Sequence, residues 1–592
     1  MCGIAGIIRF DRPAQESELP LRAMLRSLRH RGPDGAGYYF GCQAALGNSR
    51  LSFLDKTRGS QPMVSADGRY AITYNGEVYN FRALRRELAA QWTFLTECDT
   101  EVVLAACAIW GAGGVQRLNG MFAFFFWDNE QRCGFAARDR LGIKPLAYTG
   151  DGTSFSFASE AKSLIGIRPG RPKPNVLAVL EYLVAPYFSG VSDSMFDGIQ
   201  YLAPGELLRV SAGGMHLERW WDYACHQELR RDKHELEFEL RSALRTAVEG
   251  TLNTPEPVGV FLSGGLDSTL IAALAARSSL PPRRAFTIQF SDQARFDYDR
   301  SLIVKSDDTP FAIEAAAGLK IPHQLVQVRR AHLLKDLQML AQIDDALPAW
   351  EQELAQHYLA RAACRSCKAV LVGDAADETH YGYSFLLDEA AVRSPAGILN
   401  RFGAAPVRRD LLESPIKFFD ERYRGVAGAA GHDWETPLNR LLATTYLIVK
   451  RWLPRLLHNG DIHTMAYSLE ARVPFGDIDL IELARTVHPA LGVTCDGEKL
   501  LLRQAAAGLM PEPNRLRRKS ALPKDQWTAE VYQTAVREVL NENGAFLGAF
   551  LDVKPIHELS MPGRRITETE RALLFRVLAL HYWSQIYHVQ MP

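Results

Sequence analysis

Removal of Met1 would leave Cys2 at the chain terminus, where its own α-amino group, with an unperturbed pKa of roughly 8, can act as base for the thiol. Gly3 beside it is small enough to leave the thiol accessible and to let the methionine be clipped. A cysteine at position 2 says little alone, and its company says more. Arg31-Gly32-Pro33-Asp34, Arg50-Leu51-Ser52, Tyr74-Asn75-Gly76-Glu77-Val78-Tyr79-Asn80 and Asp99-Thr100-Glu101 follow in order. Asn75-Gly76 between a β run and a helix is a turn signal. The same pair can point a side-chain amide and a backbone N–H at one spot and hold an oxyanion, a role in which losing one donor costs about 3 kcal/mol. A free amino-acid substrate needs a cation for its carboxylate and an acid for its ammonium. Arg50 and Asp99 are of the right kind, although either alone is equally a solvated surface charge.

A second set lies downstream. Ser263-Gly264-Gly265-Leu266-Asp267-Ser268 follows the apolar run Val258 to Leu262 and opens a helix expected over Thr269 to Arg277. Glycines and serines there sit where a helix N-terminus can hold phosphate. No Gly-Lys-Ser/Thr follows, so this is not a Walker A loop. Val372-Gly373-Asp374-Ala375-Ala376-Asp377-Glu378 follows another apolar run. Its acids suit either a helix N-terminal turn or, opposite a phosphate loop, Mg²⁺. Glu470-Ala471-Arg472-Val473-Pro474-Phe475-Gly476-Asp477 and Arg517-Arg518-Lys519 add further charges, which by themselves read as an ion pair and a solvated basic run. Cys364-x-x-Cys367 has no second pair nearby and carries no metal reading.

Short β runs must position the first set: Gly3 to Phe10, Ala44 to Leu54, Tyr70 to Tyr74, Met121 to Trp127, Cys133 to Arg138 and Ser154 to Ser159, with helices at Leu21 to His30, Asn80 to Ala90 and from about Thr100. Residues 166–230, rich in proline and glycine, read as a connecting region with its own hairpin, and a helix is expected over His234 to Glu249. From Pro257 the strands Val258 to Leu262, Ala285 to Phe290 and Ala369 to Val372 alternate with alanine-rich helices, the pattern of a parallel sheet covered on both faces. After about Ala390 the chain is mostly helical, and Gly425 to Gly431 reads as an exposed loop. The 592 residues, 47% of them hydrophobic, suffice for two or more cores. Lys+Arg and Asp+Glu balance at 68 each, so no global field recruits nucleic acid or an anionic membrane. No apolar run approaches a membrane span, no signal segment opens the chain, and the nine cysteines are odd in number and scattered, which together point to the cytoplasm.

Met-Cys-Gly-Ile, Arg-Gly-Pro-Asp, Tyr-Asn-Gly-Glu and Asp-Thr-Glu, followed by SGGLDS, the Asp374–Glu378 acids and Glu-x-Arg-x-Pro-Phe, resemble the asparagine synthetase family over nearly the whole length. The resemblance implies an α/β multidomain protein. Residues 2–165 would be a class II glutamine amidotransferase domain, an αββα Ntn-hydrolase-like sandwich. Residues 231–592 would be an ATP-pyrophosphatase domain with a doubly wound parallel sheet and a helical C-terminal part. It also implies catalytic roles for Cys2, Asn75, Gly76, Asp374 and Lys519, and glutamine binding by Arg50, Leu51, Ser52, Phe53, Leu54, Asn75, Gly76, Glu77 and Asp99. ATP would meet Leu262, Ser263, Gly264, Gly265, Leu266, Asp267, Ser268, Ile288, Val372 and Gly373, and Mg²⁺ would meet Asp267 and Asp377. The implied reaction amidates a small carboxylate, aspartate first among candidates, through an acyl-adenylate, in a chain that can pair as a homodimer.

Departures from the family cluster where an acceptor would be read. Thr379-His380-Tyr381 replaces the middle of Asp-Glu-Leu/Ile-Phe-Gly-Gly-Tyr, Asp344-Asp345-Ala346 stands for Asp-Glu-Pro, and in Asp461-Ile462-His463 an isoleucine follows the acid where a cation is common. Asn48-Ser49 precedes Arg50 where relatives often carry a basic residue. These changes keep a second function open, a tailoring amidotransferase acting on a sugar-acid or natural-product carboxylate. An amide-forming cyclase that ignores glutamine is disfavoured by Cys2.

Overall fold

The β runs of the first domain form two six-stranded antiparallel sheets. This computed structural model describes residues 2–224, 229–290, 296–298, 304–328, 332–521 and 528–591. The first sheet contains β1 (Cys2–Arg9), β2 (Gly35–Phe40), β3 (Ala44–Arg50), β8 (Ala147–Gly150), β9 (Ser154–Ala158) and β10 (Gln200–Tyr201), in the order β10-β8-β9-β1-β3-β2. The second contains β4 (Met63–Val64), β5 (Tyr70–Val78), β6 (Gly120–Asp128), β7 (Cys133–Arg138), β11 (Glu206–Ser211) and β12 (Gly214–Arg219), in the order β12-β11-β7-β6-β5-β4. Alternation along each strand sends aromatic rings to the shared face, where Phe125 of β6 lies 4.8 Å from Phe157 of β9. Helix α1 (Glu18–Ser27) covers the first sheet, and α2 (Phe81–Leu88) and α3 (Asp99–Trp110) cover the second, completing four layers. Residues 166–230 add β10 to one sheet and the β11–β12 hairpin to the other.

Three local expectations change. β5 does not turn after Tyr74 but runs through Asn75 and Gly76 to Val78, paired in register with β6. A Cβ on Gly76 would meet the Met121 carbonyl oxygen at 2.4 Å, so this glycine serves close strand approach, and the turn comes only before α2. β3 ends at Arg50, leaving residues 51–54 as a loop. The residues Gly425 to Gly431 are a loop only from Ala429, because the helix Pro415–Gly428 keeps its inner face, Phe419, Tyr423 and Ala427, buried to its end.

In the second domain β13 (Val258–Phe261), β14 (Ala285–Phe290), β15 (His323–Val328), β16 (Ala369–Leu371) and β17 (Glu470–Arg472) form a parallel sheet, ordered β15-β14-β13-β16-β17. The order reverses between β13 and β16, the switch point at whose carboxyl ends such sheets bind ligands. The helices Lys233–Thr251 and Leu266–Ala276 pack within this core, and the second is buried nearly all round, as its Leu/Ala composition requires. After Ala390 the named elements among the described residues are helices joined by loops, except for β17.

Candidate active sites

Cys2 begins β1, is buried, and its backbone N–H donates to Asn75 Oδ1 at 3.0 Å across the stacked sheets. That bond turns the Asn75 amide so that Nδ2 is buried without a partner, a donor free for an incoming oxygen. The cleft beside Cys2 is lined by Arg50, Leu51, Ser52, Phe53, Leu54, Gly59, Gln61, Tyr74, Gly76, Glu77, Cys98, Asp99 and Thr100 and holds about 380 Å³, its open mouth included. The structure therefore gathers every expected glutamine-site residue, with Asn75 set just behind the wall. Met1 lies outside the described residues.

Arg50 spends its guanidinium on the carbonyls of Lys56 (3.0 Å), Asp55 (2.9 Å) and Leu54 (3.5 Å), so it also shapes the loop it was expected to serve. Asp99, the first residue of α3, accepts from Tyr74 Oη (2.8 Å) and Val78 N (3.1 Å), and burial raises its carboxyl above the usual range. Glu77 is raised to about 8, chiefly by burial, with Asp99 and Glu470 adding to the shift and Arg472 opposing it. Gln61 was not anticipated from the sequence. Its side chain ties Asn48 Nδ2 (3.0 Å) and Tyr74 N (2.8 Å) at one end to Thr100 Oγ1 (3.3 Å) at the other. Asn48, uncharged, is thus an internal brace of the cleft.

At the switch point the turn after β13 leads through Gly265, the residue capping the helix Leu266–Ala276. Gly264 has φ +74°, and a Cβ there would strike Ala312 N at 2.5 Å. Ser263 and Ser268 hydroxyls meet at 3.0 Å across the turn, and Gly265 N donates to Ser263 Oγ at 3.3 Å. Val372 and Gly373 leave β16 alongside, close enough that a Cβ on Gly373 would lie 3.2 Å from Ser268 N. Leu262 and Ile288 are buried behind, where Thr287 Oγ1 donates to the Leu262 carbonyl at 2.5 Å.

Three carboxylates and two ammonium groups face this turn. Lys499 Nζ lies 2.5 Å from Asp267 Oδ2 and 2.6 Å from Asp377 Oδ1, and Lys519 Nζ also pairs with Asp377. Burial works against the charge on Asp377, but Lys499 and Lys519 overcome it and hold the carboxyl at about 2. Asp374, partly buried, goes the other way, to about 6, because of desolvation and the neighbouring Asp377 and Asp267 carboxylates, with Lys519 opposing. Lys499 carried no sequence signal beyond being a lysine. It is buried, adopts φ 55°, and opens the helix Leu500–Ala505.

One buried helix, Leu453–Met465, runs between the two sites. A Cβ on Gly460 would sit 3.5 Å from Asp374 Oδ2. Its neighbour Asp461 faces the first domain instead, paired with Arg31 and Lys144. The segments expected to read an acceptor are largely internal. Ile462 is 1% exposed, Thr379 Oγ1 donates to the Ala375 carbonyl at 2.6 Å, and His380 packs edge-on against Phe475. Tyr381 donates to the Val487 carbonyl at 3.3 Å, and His463 Nε2 lies 3.3 Å from Glu353. Asp344 pairs with Arg455 at 3.1 Å, while Asp345 accepts from Tyr201 Oη at 2.7 Å and Lys162 N at 2.8 Å. These acids, with His458, Glu353 and His463, come close enough to hold a metal ion, but their oxygens are already engaged by backbone N–H groups, Arg455 and Tyr201.

Residues 1–221 match the glutamine amidotransferase domain family and residues 239–585 match the asparagine synthase family. The chain belongs to the asparagine synthase family. It is 27% identical to asparagine synthetase [glutamine-hydrolyzing] 3 of Bacillus subtilis (strain 168), covering 100% of both chains. It is 31% identical to asparagine synthetase [glutamine-hydrolyzing] 2 of the same organism over 85% of this chain and 69% of that one. Asparagine synthetase B [glutamine-hydrolyzing] of Escherichia coli (strain K12) is 26% identical over 92% of this chain and 86% of that one.

Proposed function

We propose that this protein transfers the amide nitrogen of glutamine to a carboxylate acceptor at the expense of ATP, and that the acceptor is aspartate and the product asparagine. The observation that carries this reading is the pairing, in one chain, of a cysteine cleft built for a free amino acid with a glycine-serine turn and three carboxylates at the sheet's switch point. In the first site the Cys2 thiolate attacks the glutamine side-chain carbon, and Asn75 Nδ2 with the Gly76 N–H receives the oxyanion. The thiol proton passes through the terminal amine to the departing nitrogen, ammonia leaves, and water then hydrolyses the γ-glutamyl thioester to glutamate and free Cys2.

In the second site an acceptor carboxylate oxygen attacks the α-phosphorus of ATP, the bond to the β-phosphate breaks, and pyrophosphate leaves an acyl-AMP. Ammonia attacks the acyl carbon, sheds a proton, and AMP departs. Asp374 is suited to take that proton, and Lys519 to steady the negative charge. Asp267, whose Oδ1 is buried without a hydrogen-bond partner, and Asp377 would hold a divalent cation. Such an ion, Mg²⁺, supplies charge neutralisation for the phosphate oxygens. Incubation with ATP, Mg²⁺, amide-¹⁵N glutamine and a panel of acids tests the assignment by mass spectrometry. Label in asparagine supports it, and label in another amide with none in asparagine overturns the acceptor.

A further inference from the structure

Arg472 belongs to β17 of the second domain, yet its side chain is aimed at the first. Its guanidinium is fully enclosed at 0% exposure and divides its donors among three directions. Nε meets Glu470 Oε1 at 2.5 Å and Nη1 donates to the Thr251 carbonyl at 2.7 Å, both within its own domain. Nη2 makes no hydrogen bond and faces Glu77 Oε1 at 3.5 Å, while the guanidinium carbon stands 5.0 Å over the Phe53 ring. Glu77 and Phe53 both line the cysteine cleft. The backbone of Arg472 is committed elsewhere. It pairs with Leu371, and its carbonyl accepts from Val372 N at 3.0 Å, where the chain turns toward the nucleotide site.

A second contact, made by a lysine, repeats the pattern one strand over. Lys368, just before β16, sends Nζ to Asp34 Oδ2 at 3.0 Å and to the Ser52 carbonyl at 3.4 Å, and Asp34 Oδ2 in turn accepts from Ser52 N at 2.9 Å. Ser52 also lines the cleft. Lys368 and Arg472 therefore reach residues of the cysteine cleft through their side chains, while Gly373, just past the carboxyl end of β16, lies beside the phosphate turn.

We propose that Arg472 is a positioning residue for glutamine hydrolysis: from the ATP domain it fixes Glu77 and Phe53, so the cysteine cleft acquires its glutamine-binding form only against the second domain. This rests on the glutaminase reading of Cys2. A single cation cannot fully compensate two buried carboxyl groups, and Glu470, the nearer, takes the closer contact. Glu77 is left with a directed but longer attraction, enough to orient it and not enough to withdraw it from the cleft. Lysine at 472 keeps the charge but loses the planar fork that reaches Glu470, Thr251 and Glu77 together.

The test compares Arg472→Lys, Arg472→Gln, Glu77→Gln and the double variant Arg472→Lys/Glu77→Gln in the full chain, with Cys2→Ala as reference. Glutamine KM and kcat for glutaminase activity are read separately from ammonia-dependent pyrophosphate release. Expected is a rise in glutamine KM of about tenfold or more for both Arg472 variants, larger for glutamine than for lysine, with kcat changed less. Ammonia-dependent pyrophosphate release stays within about twofold, and the double variant is no worse than the worse single one. A glutamine KM at the wild-type value in both Arg472 variants, or a parallel loss of both activities and of melting temperature, overturns the proposal and leaves Arg472 a domain tie only. If Cys2→Ala keeps glutaminase activity, the cleft is not the glutamine site and the proposal falls with that reading.

Discussion

Asp461 and Arg31, 430 residues apart, form a buried ion pair of 2.5 Å that joins the two domains. Arg31 also reaches Glu160 at 2.9 Å and the Cys2 carbonyl at 3.4 Å, and Asp461 also receives Lys144 at 3.2 Å. The next residue back, Gly460, lies against Asp374. Adjacent positions on one helix thus register the cysteine cleft and the acidic cluster around Asp374 against each other.

Asp461→Asn leaves Arg31 and Lys144 enclosed with less compensation. Removing one member of such a pair costs about 3–5 kcal/mol. Chemical denaturation should show a loss of that order, and a change below about 1 kcal/mol would mean that the pair is replaced by water or rearrangement.

Cys2→Ala should abolish glutaminase activity and glutamine-dependent synthesis while ammonia-dependent synthesis persists, because only the first site uses the thiol. The check is amide formation from ammonium chloride against glutamine in the same preparation. Loss of both would show that the thiol also serves the second site.

Asp267→Asn and Asp377→Asn should each lower ATP-dependent pyrophosphate release by about a hundredfold or more and spare glutaminase activity. Lys499→Met tests the unexpected bridge between them. With its ammonium gone, the two carboxylates repel across the phosphate turn, and the apparent KM for ATP should rise. An unchanged ATP KM would place Lys499 outside the nucleotide site.

Asp374 titrates near 6, with its charged form disfavoured by burial and by the Asp377 and Asp267 carboxylates. Its base form is populated above that value and lost below it. Ammonia-dependent synthesis, followed from about pH 5 to about pH 9 and corrected for free ammonia, should therefore fall on the acid side as Asp374 is protonated. Asp377, held at about 2 against its burial by Lys499 and Lys519, stays ionised throughout and contributes no such limb.

Ile462→Arg would place a cation at a position 1% exposed, between packed elements. The expected result is a drop in melting temperature or loss of soluble protein, rather than a change in acceptor preference. A stable Ile462→Arg enzyme with altered acid selectivity would restore this position to the acceptor site.

Motifs with local punctuation were the legible ones. SGGLDS sits after its strand because glycine and serine are needed at that turn, and Cys2 is legible from its position taken together with the ordered motifs that follow it. Asn75-Gly76 was misjudged locally, since its glycine answers a neighbouring strand that only the fold supplies. Lys499 and Gln61 stay hidden for the same reason, and Arg472, legible as an ion-pair member and paired with Glu470, conceals its reach to Glu77. Each acts on residues far away in sequence: Lys499 on Asp267 and Asp377, Gln61 on Thr100, and Arg472 on Glu77. β2 is not legible in the sequence because Gly35-Ala36-Gly37 opens it without an alternating apolar signal.

The placement of Asn75-Gly76 inside β5 also bears on how the protein ages. Asn-Gly is the dipeptide most prone to cyclise to a succinimide, by attack of the glycine nitrogen on the asparagine side-chain carbon, and then to open to aspartate or isoaspartate. Here both residues are locked in register with Ala123 and Phe122, and the Asn75 oxygen is held by the Cys2 N–H. The Gly76 nitrogen cannot swing onto that carbon without unzipping the strand. The folded chain therefore shields Asn75 from deamidation, and mass change at position 75 becomes a clock for time spent unfolded.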